Sequence, residues 1–170
     1  MLTGLSENPQ DISDSRKTAV INDELKKLHM DIAILQERHL ADSGSLTKDY
    51  TFFWQGKSSD EPRQHGVGFA MRTSLLNTVK PSSNGSERLL TLRLKITAGS
   101  VSLVSVYFPT LSVTLDTKDE FCDKLATTIS SIPRKELVLL GDFNAKVGAD
   151  HDSWPSCLGQ FGVDKMNDNG

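Results

Sequence analysis

Residues 137–140 read Leu-Val-Leu-Leu, and Gly141-Asp-Phe-Asn-Ala145 follows without a spacer. Four consecutive apolar residues have no polar face to offer water, so this run predicts a buried strand, the clearest in the chain. A strand covered on both faces requires layers on both sides of its sheet. A helical period precedes it. Phe121, Leu125 and Ile129 stand four apart, predicting a helix over about 117–131 that Pro133 ends. The same order occurs earlier. Ile21, Leu25 and Leu28, with Val20 beside them, predict a helix over about 16–29 with Ser15 as N-cap. Asp31-Ile-Ala-Ile-Leu-Gln-Glu37 then reads as a second buried strand.

Between these two pairs the periodicity changes to that of strands. Tyr50–Trp54 is aromatic and β-prone, and Gly66–Arg72 is a further strand candidate across a polar loop at 55–64. Leu90, Leu92, Leu94 and Ile96 alternate with Thr91, Arg93 and Lys95. Residues 97–100 supply a turn, and Val101–Phe108, stopped by Pro109, forms the partner of a hairpin. Helices that feed strands, together with neighbouring strands that pair directly, favour a layered α/β (α+β) sandwich over a simple doubly wound sheet. Residues 1–15 read as loop, residues 16–170 as one domain, and residues after Asn144 as loop.

The 170 residues suffice for one buried core, and the 37% hydrophobic content excludes a disordered chain. A net charge of −3 excludes a basic nucleic-acid-binding tail, so any contact with nucleic acid must rest on a local field. Cys122 and Cys157 cannot build a disulfide scaffold. No apolar run is long enough for a membrane span, and the first ten residues lack a secretory core. The expected compartment is intracellular, nucleus or cytoplasm.

The chemistry-bearing residues sit at the carboxyl ends of the apolar runs, where sites form in α/β folds. In an extended chain Asp142 and Asn144 face the same way. The carboxylate can bind a metal or take a proton from water, and the amide can donate to a phosphate oxygen without adding negative charge. The same Gly, Asp and Asn are also what a tight turn favours. Glu37 ends the earlier strand as a second carboxylate, and Mg²⁺ often takes only one or two from the protein. Tyr107 closes the strand before Phe108-Pro109, either as a phosphate donor or as a tyrosine packed at the sheet rim. Asp150-His-Asp152 reads as a surface cluster, since no apolar strand leads into it. His29, His39 and His65 show no ligand spacing. Residues 142–153 fail as a calcium loop because Lys146, Val147 and Ser153 occupy positions that need other residues.

Leu35-Gln-Glu37, Tyr107-Phe-Pro109 and Leu139-Leu-Gly-Asp-Phe-Asn-Ala145, in that order, resemble the endonuclease/exonuclease/phosphatase superfamily, with its apurinic/apyrimidinic endonuclease and deoxyribonuclease I branches. The retrotransposon-type endonuclease domain is the nearest likeness, including craniofacial development protein 2-like sequences. Tyr50-Thr-Phe-Phe-Trp54, His65-Gly-Val-Gly-Phe-Ala70 and Glu87-Arg-Leu-Leu90 also belong to the resemblance. The resemblance implies a four-layer α/β/β/α sandwich. It implies in-line attack of water on a phosphodiester, with DNA as substrate. Glu37 would ligate Mg²⁺ or Mn²⁺, Asp142 would orient or deprotonate the water, Asn144 would contact the scissile phosphate and help fix the metal site, and Tyr107 would hydrogen-bond the phosphate.

The chain also departs from the family pattern. Members open with a strand ending in Asn and close with an Asp-His pair, and neither is found here. The expectation is therefore an incomplete sandwich, truncated at both ends, with exposed sheet edges and marginal stability. Two other functions remain open: a catalytically inactive remnant that binds a partner or is inert, and a phosphatase acting on a small phosphorylated substrate.

Overall fold

The computed structural model describes residues 9–36, 43–56, 66–80, 85–156 and 161–170, with the backbone alone for 9–15 and 43–47. Glu37, His39, His65, Cys157 and most of the polar loop at 55–64 lie outside the described residues. The order of elements is α1 (Pro9–Lys27), β1 (Ile32–Leu35), β2 (Ser43–Thr47), β3 (Tyr50–Gly56), β4 (Gly66–Arg72), β5 (Val79–Lys80), β6 (Gly85–Ser86), β7 (Leu89–Ile96), β8 (Gly99–Tyr107), α2 (Leu115–Ser130) and β9 (Leu137–Asp142). Short 3-10 turns occupy Thr73–Thr78 and Arg134–Glu136.

Two sheets form. The first is antiparallel throughout, in the order β1-β4-β3-β2. The second runs β5-β7-β8-β9, with β6 also on β7. Its last pair, β8 with β9, is parallel, and α2 supplies the crossover that a parallel pair requires. Alternation along the strands sorts the apolar side chains into three cores. Phe69 and Met71 of β4 meet Leu92, Leu94 and Leu103 between the sheets. Tyr50, Phe52 and Ala70 turn the other way and cover Leu25 and Ile21 of α1. Val104 and Val106 face Phe121 and Leu125 of α2, joined by Leu137 and Leu139. The layers are thus α1, first sheet, second sheet, α2: the expected α/β/β/α sandwich.

The ends of the helices have local causes. Thr114 caps α2 by accepting the Thr117 N–H at 3.4 Å. The end of α1 turns through His29, at φ 53, and Met30 N–H returns to the Leu25 carbonyl. Buried Asn22 then ties α1 to the first sheet, its Oδ1 accepting the Tyr50 N–H and its Nδ2 donating to Asp49. That hydrogen bond, with Lys26 beside it, holds the Asp49 carboxyl below its ordinary value.

Three expectations need correction. α1 starts at Pro9, so the loop assigned to 1–15 is too long and Ser15 lies inside the helix rather than capping it. Proline suits a first turn because it has no N–H to leave unpaired there. The hairpin turn is tighter than 97–100, with Ile96 opposite Gly99 and Gly99 at φ 135. Lastly, β9 is a strand but not a buried one, since none of its six residues is buried. It pairs with β8 alone among the described strands, and Val138 is 40% exposed. An apolar run predicts covered faces but does not count the strands beside it, and with one neighbour β9 keeps part of its surface in water. Among the described residues, no helix is long and apolar enough to cross a membrane.

Phe121 is the buried anchor of α2, and its ring meets Phe108 edge-on at 5.1 Å. Phe121→Ala is expected to lower unfolding stability by about 3–5 kcal/mol, read as a shift of the urea midpoint followed by circular dichroism.

Candidate active site at the carboxyl ends of β8 and β9

The parallel register sets Tyr107 directly beside Asp142. Val104 and Val106 point at α2, so alternation turns Tyr107 to the opposite face, and Asp142 shares that face through the register. This is the face on which the first sheet lies. From β1, Gln36 reaches across and donates its Nε2 to the Val106 carbonyl at 2.7 Å. The end of β1 is thereby tied to the end of β8, one residue before Glu37 on one side and one before Tyr107 on the other.

Gly141 makes this convergence possible. A Cβ at that position would sit 1.9 Å from the same Val106 carbonyl oxygen. Phe143, next in the motif after Asp142, packs half-buried into the α2 core and anchors the segment from its other side. Asp142 between them is exposed, and its carbonyl accepts the Phe108 N–H at 2.9 Å.

Asn144 reaches the site by a different route from the one strand alternation implies. Its φ is 48, so the extended chain has already ended. Asparagine tolerates this left-handed conformation better than most residues. The pair is set instead by a turn: Asn144 N–H donates to Asp142 Oδ1 at 2.8 Å, and Asn144 Nδ2 donates to the Phe108 carbonyl at 2.6 Å. A carbonyl can only accept, so the amide nitrogen faces Phe108 and Oδ1 faces away from it. Asp142 retains a second carboxylate oxygen, and Asn144 retains Oδ1 and one amide hydrogen.

Arg88, to which the sequence assigned no role, lies beneath Tyr107. It is 7% exposed, donates Nη1 to the Tyr107 carbonyl at 3.3 Å, and holds its guanidinium carbon 5.3 Å from the ring centroid. The Arg88 carbonyl accepts the Tyr107 N–H at 2.9 Å. Burial pulls the guanidinium's pKa below its ordinary value, partly offset by Tyr107 and Glu87. It remains a cation, stacked on the ring of a tyrosine that is itself 5% exposed. No periodicity or spacing marks Arg88; the Glu87-Arg-Leu-Leu90 resemblance includes it without a role, and the hydrogen bonds and stacking of the folded chain supply one.

The other titratable groups stay apart. His151 pairs with Asp152 at 2.9 Å on the surface, consistent with a surface cluster. Cys122 is an exposed free thiol. Among the described residues, no three His, Cys, Asp or Glu side chains are grouped to hold a metal. Two surface hollows, of about 510 Å³ beside Lys26 and Arg72 and about 690 Å³ beside Glu120 and Ser131, are lined by none of Tyr107, Asp142 and Asn144.

Gly141→Ala tests this construction. The added methyl must push β9 off the Val106 carbonyl, with an expected cost of about 1–3 kcal/mol by thermal melting. The amide resonances of Asp142 and Tyr107 should shift while those of α1 stay in place.

Residues 5–163 match the family model described as the endonuclease/exonuclease/phosphatase family. No curated protein sequence matches the chain. Among solved structures, the endonuclease domain of TRAS1, a telomere-specific non-LTR retrotransposon, superposes with a TM-score of 0.52 at 14% identity. That likeness is one of fold. It covers 76% of this chain and 53% of that one, so this chain spans about half the length of that domain. The family match, extending over nearly the whole chain, places this protein in the endonuclease/exonuclease/phosphatase family.

Proposed function

We propose that this chain is a phosphodiesterase domain that hydrolyses DNA by attack of water, in company with Mg²⁺ or Mn²⁺. The observation that carries the reading is the meeting of Tyr107, Asp142 and Asn144 at one pair of parallel strand ends, with Gln36 drawing the end of β1 to the same place. The available donors suit a hard cation, because Asn144 Oδ1 is an oxygen ligand of the type Mg²⁺ requires. Glu37, beside Gln36, is the further carboxylate the family resemblance assigns to it. When bound, the cation supplies Lewis acidity and neutralises charge at the phosphate.

The chain's own groups supply the remaining chemistry. Asp142 orients the attacking water and takes its proton, using the carboxylate oxygen that Asn144 does not occupy. The remaining amide hydrogen of Asn144 donates to a phosphate oxygen. Tyr107 donates its phenol to a second phosphate oxygen, and the Arg88 cation stacked on its ring favours negative charge accumulating there. Charge-bearing hydrogen bonds of this kind matter most where water is partly excluded, as around Tyr107 and Arg88.

A second reading, a partner-binding domain without turnover, is favoured by one feature. Phe161 is 95% exposed and Val163, Met166 and Trp154 are exposed nearby in sequence, more apolar surface than a short tail ordinarily shows water.

Nicking of supercoiled plasmid separates the two. The expected result is Mg²⁺-dependent nicking that EDTA abolishes, that Asp142→Ala lowers by about 10²- to 10⁴-fold, and that Tyr107→Phe lowers by about tenfold. Nicking that survives EDTA or Asp142→Ala contradicts the assignment. A chain that is folded by circular dichroism and does not nick favours the binding reading.

A further inference from the structure

The last residues of the chain, which the sequence presents as a loop, return to Asn144. Asn167 Nδ2 and Asn169 Nδ2 both donate to the Asn144 carbonyl, each at 3.2 Å. Asn169 Nδ2 also donates to the Pro109 carbonyl at 3.1 Å, and Asn169 Oδ1 accepts from Lys118 Nζ of α2 at 2.8 Å. Asn167 Oδ1 accepts the Lys146 N–H at 3.0 Å and the Asn169 N–H at 3.2 Å, and Asn167 N–H returns to the Lys146 carbonyl at 3.0 Å.

Each partner fixes an orientation. Carbonyls only accept and an ammonium only donates, so Asn169 must place its nitrogen toward Asn144 and Pro109 and its oxygen toward Lys118. The same logic fixes Asn167, whose oxygen meets two backbone N–H groups and whose nitrogen meets the Asn144 carbonyl. Neither residue can be replaced by aspartate without setting a carboxylate oxygen against a carbonyl oxygen. The left-handed peptide at Asn144 is thus held from three places: Phe108 on its side chain, Asp142 on its N–H, and the two asparagines on its carbonyl.

We propose that Asn167 and Asn169 are positioning residues that clasp the Asn144 carbonyl and so hold the Asn144 carboxamide in its working orientation beside Asp142. The role rests on the phosphodiesterase reading above for its consequence in catalysis, but not for its geometry. The clasp touches neither water nor phosphate. It holds Asn144 in the left-handed turn, so that Oδ1 and one amide hydrogen stay presented. Lys118 links this device to α2, the helix that makes the parallel crossover.

The test uses the full chain with Asn169→Asp, Asn169→Ala and Asn167→Asp. Asp168→Ala serves as control, since Asp168 lies exposed between the two asparagines. Two readouts are taken. In ¹H–¹⁵N spectra, the Asn144 backbone and side-chain amide peaks are expected to move in all three variants and not in the control, with melting midpoints close to that of the unaltered chain. In nicking assays, kcat is expected to fall about 10- to 100-fold, the scale of losing a group that orients a ligand, with KM little changed. Asn144 peaks that stay in place in Asn169→Asp and Asn167→Asp overturn the clasp, whatever the activity. Moved peaks with undiminished kcat overturn its catalytic consequence. An unaltered chain that does not nick counts against the phosphodiesterase reading alone, because the spectra still decide the clasp.

Discussion

The parallel pairing of β8 with β9 is the constraint on which the site depends. Antiparallel neighbours joined by a tight turn bring the end of one strand beside the beginning of the next. A parallel pair brings two carboxyl ends together, and it needs a crossover long enough to return the chain. Here α2 is that crossover, held down by Phe121 against Val104 and Val106 and, through Phe108, against the loop that leaves β8. With the crossover seated, the register places Tyr107 and Asp142 side by side, and Gly141 removes the one side chain that would hold the strands apart.

The chemistry then follows from which groups are left uncommitted. Asp142 spends one carboxylate oxygen and its carbonyl on shaping the turn and keeps one oxygen exposed. Asn144 spends one amide hydrogen on Phe108 and its N–H on Asp142. Tyr107 is fixed by its N–H on the Arg88 carbonyl, by the Arg88 guanidinium donating to its own carbonyl, and by that cation stacked on its ring. The polar groups that hold the site are satisfied within the protein, while Asp142 stays exposed and Asn144 half-buried at the strand ends. This division costs little stability because few of the retained groups are deeply buried.

Much of the architecture was legible in the sequence because each layer has its own periodicity. The helix over Phe121, Leu125 and Ile129 and the hairpin of β7 with β8 follow from spacing, and Gly66–Arg72 stood out as a strand candidate between polar segments. β2 was missed because Ser-Gly-Ser-Leu-Thr has almost no apolar content; its ladder with β3 makes it a strand. The start of α1 was missed for a related reason, since its first turns are polar and carry no face for periodicity to detect. β9 was read as buried because its run is wholly apolar, whereas composition is silent about strand neighbours and Val138 stays exposed. At the site, Tyr107 and Asp142 were each visible as polar residues ending apolar runs, but Asn144 was placed by an extended-chain argument that its left-handed turn sets aside.

By itself the sequence determined which stretches bury which faces and which polar residues close the strands, because those depend on the order of residues within a few turns of chain. Only the tertiary structure decided which strand ends meet, that Arg88 lies under Tyr107, and that Asn167 and Asn169 return to Asn144. Those are contacts between segments far apart in the chain. They depend on the sheet register, on the room Gly141 leaves, and on carbonyls that acquire a partner only when the layers are packed.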